Sequence, residues 1–89
     1  MNKNQEIAKN LRDWKEDLLD WKKDSDENLR RATERSERFG RYANDPQRNP
    51  FAAVIKQESQ RGMELDKAIT LTDALIGLAE QDQLVDPNA

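Results

Sequence analysis

The chain has 89 residues, 35% hydrophobic against 37% charged, with a formal charge of −3 and neither cysteine nor histidine. Those figures describe one small domain with little apolar matter for a compact core, and they are ordinary for long helices or a coiled coil. The missing imidazole and thiol remove the commonest general base and thiol nucleophile, so no catalytic site, metal site or cofactor is expected.

The first segment, Met1-Asn2-Lys3-Asn4-Gln5-Glu6, has no apolar signal-peptide core. A helix is expected from about residue 4, with Asn2 or Asn4 as N-cap, to about residue 39, because nothing in between breaks it. Ile7, Leu11, Trp14, Leu18 and Trp21 follow at alternating spacings of four and three, the seam of an amphipathic helix. Ser25, Leu29, Ala32, Ser36 and Phe39 continue it after an extra step of four, a stutter. The polar run 22–28 is expected to be the most exposed part. Asp26 with Arg30, Glu27 with Arg31 and Glu34 with Arg38 are attractive pairs four apart.

Gly40 suits a helix stop. Asp45-Pro46 starts a turn, and Asn49-Pro50 reads as N-cap and first helical residue of a second helix. The corner is therefore 40–49, the second helix about 50–83, and 84–89 a frayed tail, all within a single domain, 1–89. The second stripe reads Phe51, Val54/Ile55, Ser59, Gly62, Leu65, Ala68/Ile69, Thr72, Leu75/Ile76 and Ala79. Gly62 either admits close helix approach or weakens the helix. The longest apolar stretch, 74–79, is far short of the ~20 residues that span a bilayer, so no membrane association and a cytoplasmic location are expected, leaderless secretion remaining open.

Charge is unevenly placed. Residues 28–48 hold six arginines and three acids, while 1–27 hold eight acids against six bases and 49–89 seven against three. Arg31, Arg35 and Arg38 fall on one side of the first helix, with Arg30 and Arg41 beside them, a row of guanidinium forks suited to phosphates or an acidic surface. A solvated helix face is the competing explanation, because Glu34 and Glu37 interrupt the row. Trp14 and Trp21 either fill the seam between the two helices or anchor an intermolecular contact.

The order of helix, proline-bearing corner and helix resembles the needle and rod subunits of type III secretion systems, matched at Pro46-Gln47-Arg48-Asn49-Pro50. The polar end Glu80-Gln81-Asp82-Gln83 departs from them. The layout is also similar to the WXG100 secreted hairpins, with Phe39-Gly40 where their Trp-x-Gly turn stands. These resemblances imply a structural subunit of a filament or secretion apparatus.

The fold expected from the residues is all-α: a long two-helix hairpin that self-associates into a helical bundle. The function expected is a small non-enzymatic protein-binding module, such as an adaptor, an assembly chaperone or a phage- or plasmid-type inhibitor of a host complex. Leu11, Trp14, Leu18 and Trp21 would form the oligomer or partner interface, and Arg31, Arg35, Arg38 and Arg41 the charged contact. Nucleic-acid or nucleotide binding through the Arg30–Arg41 row is a third reading.

Overall fold

The computed structural model describes residues 2–86 as an antiparallel pair of helices, α1 (Lys3–Ser36) and α2 (Phe51–Glu80), joined through a 3-10 turn at Glu37–Tyr42. The rod measures 61 × 15 × 14 Å. Asn2 caps α1: its side chain accepts from the Gln5 N–H, and the Gln5 side chain accepts from the Asn2 N–H, both at 2.9 Å. The α-helix ends three residues before the expected boundary, tightening into 3-10 geometry before Gly40, whose φ of 53° carries the chain out of the helix.

The sequence misplaces the seam between the helices. In α1 the buried and half-buried residues are Asn4, Ala8, Leu11, Lys15, Leu18, Lys22, Ser25, Leu29, Ala32 and Ser36, at spacings of four and three without interruption; Ile7 alone stands outside the row. In α2 they include Ile55, Glu58, Gly62, Leu65, Ile69, Thr72, Ile76 and Ala79, equally regular. No stutter exists along this line, and Ser59 is exposed where Glu58 packs. The polar middle of α1 is not its most exposed part. Ser25 is buried and donates to the Glu58 carboxylate at 2.9 Å.

Lysines can hold seam positions because their stems pack while their ammonium groups reach out. Lys22 bridges Asp26 at 3.0 Å and Asp66 at 3.5 Å, and Lys15 meets Asp73 at 2.6 Å. Arg12 pairs with Glu80 on the same flank. The hydrogen bond to Asp26 raises the Lys22 ammonium above the ordinary lysine value, helped by the charges of Asp26 and Asp66 and opposed by partial burial. Along the outside of α1, Glu27–Arg31 forms as expected at 2.8 Å, whereas Arg30 reaches forward to Glu34 and Asp26 is taken by Lys22.

Gly62 is a point of close approach within an unbroken helix. A Cβ there would lie 3.1 Å from Lys22 Nζ. Because that neighbour is the tip of a flexible chain, Gly62→Ala should change stability by less than ~1 kcal/mol, the gain in helix propensity offsetting the displaced ammonium. Gly62→Leu has to evict the lysine stem and should lose ~2 kcal/mol or more in urea unfolding.

Asn49 organises the corner. It is completely buried, and its Nδ2 donates to Ser36 Oγ at 2.6 Å and to the Ala43 carbonyl at 2.5 Å. Its Oδ1 accepts from the N–H of Phe51, the first residue of α2, at 3.0 Å; Pro50 holds the cap position, one residue later than the dipeptide predicts, and Asn49 ties the helix start from just before it. At the far end α2 stops at Glu80. Asp82 takes a positive φ of 55°, and the Gln83 N–H returns to the Leu78 carbonyl at 2.8 Å. The segment expected to fray is held as far as it is described. Asn4, itself buried, donates to the Val85 carbonyl at 2.8 Å and accepts its N–H at 3.0 Å. Residues 87–89 of the expected tail lie outside the described residues.

Candidate functional site

The ion pairs Arg12–Glu80, Lys15–Asp73 and Lys22–Asp66 occupy one flank of the hairpin. Heptad geometry places Ile7, Trp14, Trp21, Asn28 and Arg35 on the opposite flank of α1, beside Val54, Arg61, Ala68 and Leu75 of α2. Leu71 and Leu78 form the next row out on α2. The contact of Arg35 with the Phe51 ring, at 6.0 Å, crosses between the helices on this side.

The open-ended half of the flank is apolar. Trp14 and Trp21 pack edge to face with centroids 5.4 Å apart and remain 45% and 42% exposed, and Leu71 is 62% exposed. Of the four residues expected to form an interface, the structure therefore separates two pairs. Leu11 and Leu18 point into the seam, Leu18 fully buried, while Trp14 and Trp21 stand outside it. The reason is steric: seam positions opposite Gly62, Thr72 and Ala79 bring the helices together through small groups, which leaves no room for an indole.

The arginines expected to form a single row do different things. Arg31 bonds Glu27, Arg35 lies over Phe51, and Arg41 lies over Tyr42 at 5.0 Å. Arg48, outside the expected row, approaches the same ring at 4.3 Å. Arg30, Arg31, Glu34, Arg35 and Arg38 line a shallow groove in which the carboxylate already pairs with Arg30. The cations thus gather around the corner, partly held by its aromatic rings, rather than forming one outward line.

On α1 the row beside the tryptophans reads Asn10, Asp17, Asp24 and Arg31, with Arg38 following it in the 3-10 turn, and every member is exposed. The flank consequently has an aromatic, carboxylate-edged half near the open end and a guanidinium half near the corner. Among the described residues no helix is long and apolar enough to cross a membrane. No protein-family model, curated protein or solved structure matches the chain.

Proposed function

We propose that this is a non-enzymatic binding protein whose tryptophan-bearing flank docks against a helical surface of a protein. The observation that carries the reading is the exposed, mutually packed Trp14–Trp21 pair beside Leu71, Leu75 and Leu78, on a hairpin whose own seam has no use for those side chains. Paired indoles beside aliphatic groups are the usual anchors of protein interfaces, large and stiff with a polar handle. Total exposure supports the same reading. The chain leaves 6620 Å² accessible, where a compact monomer of 10.3 kDa leaves ~5,400 Å². The excess of about 1,200 Å² is of the size one partner gives up in a standard interface, ~800 Å².

Nucleic acid fits the arrangement less well, because the chain is acidic overall and Glu34, paired with Arg30, and Glu37 stand among the arginines.

The test compares three immobilised chains as bait: wild type, Trp14→Ser/Trp21→Ser, and Leu19→Ser, which alters an equally exposed residue on the ion-pair flank. The double tryptophan variant should keep its helical circular dichroism, at a stability cost of about 2 kcal/mol for the ring–ring contact and the buried half of each indole, yet lose bound protein. Leu19→Ser should retain it. Equal retention by all three baits would place the binding surface elsewhere, and no retention by wild type, of itself or of another protein, would remove the proposal.

A further inference from the structure

The row Asp17, Asp24, Arg31, Arg38 becomes its own charge complement when reversed. Asp24 stands as far before residues 27–28 as Arg31 stands after them, and the same holds for Asp17 and Arg38. The neighbouring row behaves alike: about Asn28, Trp21 mirrors Arg35, and Trp14 mirrors the corner end of the rod. Two helices crossing antiparallel bring the same flanking rows together, so these symmetries describe a surface made to meet itself.

We propose that the occupant of the tryptophan flank is a second copy of this chain, laid antiparallel about a two-fold axis near residues 27–28 of α1. This rests on the flank being a protein-docking surface, and it names the protein. Each copy's carboxylates Asp17 and Asp24 face the other's Arg38 and Arg31. Each Trp21 face receives the partner copy's Arg35 guanidinium, a contact that ring quadrupoles favour. Trp14 is covered by the Arg41–Tyr42 turn of the second chain. The two candidate regions of the sequence, indoles and arginines, are then the two halves of one interface.

The overlap, from residue 14 to the turn at 41–42, runs about 40 Å at ~1.5 Å per residue. The opposite, parallel arrangement would lay Asp17 and Asp24 beside their own copies and bring the two arginine-rich corners together. The Glu27–Arg31 pair does not oppose the antiparallel one, since both side chains are about half exposed (45% and 57%) and the guanidinium has a free edge for a second carboxylate.

The experiment is sedimentation equilibrium of four full-length chains, each first checked for unchanged helicity. Wild type should be a dimer. Asp17→Arg/Asp24→Arg sets four arginines against four, and Arg31→Asp/Arg38→Asp sets four aspartates against four. Each should weaken dimerisation about thirty-fold or more, the size of four lost exposed ion pairs at ~0.5 kcal/mol apiece. An equimolar mixture of the two should recover a dimer containing one of each, and the chain carrying all four exchanges should dimerise like wild type. A monomeric wild type at several hundred micromolar overturns the proposal, as does a dimer indifferent to either reversal or a mixture that fails to recover. If the proposal fails while the tryptophan variant still loses a bound protein in the capture comparison, the docking reading survives with a different occupant. If the capture comparison fails too, both are gone.

Discussion

Asn49→Ala should cost the hairpin about 3 kcal/mol, seen as a fall of roughly 12–24 °C in Tm for a chain of this size. Three functions are lost together. The hydrogen bond to the Phe51 N–H contributes ~1 kcal/mol, and the Ser36 hydroxyl and Ala43 carbonyl each lose a donor, the carbonyl keeping only the Ser36 hydroxyl at 3.4 Å. Asn49→Asp separates the contributions, because it keeps an acceptor for the Phe51 N–H and surrenders both donations. Its loss should be at least as large as that of alanine, because a carboxylate oxygen then faces the Ala43 carbonyl where the amide donated. A change under 1 kcal/mol for Asn49→Ala would mean that water or a shifted turn replaces the side chain, and that Asn49 does not organise the corner.

Leu18→Ala and Leu19→Ala should differ by 2 kcal/mol or more in urea unfolding at low protein concentration, though the residues are neighbours of identical chemistry. Leu18 is 2% exposed and faces α2, so truncation leaves a hole in the seam costing ~2–4 kcal/mol. Leu19 is 47% exposed on the ion-pair flank, and its truncation should fall within ~0.5 kcal/mol. Similar losses at both positions would show that the seam is rotated from the line through Leu11, Leu18 and Ser25 toward the ion-pair flank, away from the indoles.

That rotation is the error which sequence reasoning makes here, and it has a physical origin. Breakers are local, so Gly40, Asn49 and Pro50 placed the two helices to within a few residues. The seam is a matter of which face meets a neighbour, and the largest apolar side chains of α1, Trp14 and Trp21, share a three-and-four spacing with Leu11 and Leu18. The true row alternates the leucines with Ala8, Lys15 and Lys22 instead. Two lysines do not look like packing residues until Asp66 and Asp73 are known to stand within reach of their tips. Gly62 was a usable clue, since a residue without a side chain in a stripe signals a close neighbour, though which residue filled the space was invisible. The corner hid more. An asparagine before proline announces a cap, but its two donations depend on Ser36 and Ala43, thirteen and six residues away.

The distances at which the hairpin is tied have a kinetic consequence. Ser36 and Asn49 close a loop of thirteen residues, whereas the Asn4–Val85 clasp spans eighty-one. By the logarithmic growth of ring-closure entropy the clasp is costlier to form from the unstructured chain by ~1.6 kcal/mol. The rods should therefore zip from the bend toward the extremities, and native-state breathing should run in the opposite order. Amide exchange would be slowest around the bend and quicken along both rods, fastest near Ile7 and Leu78, so that the indoles sit between the part of the molecule that opens first and its slowest part.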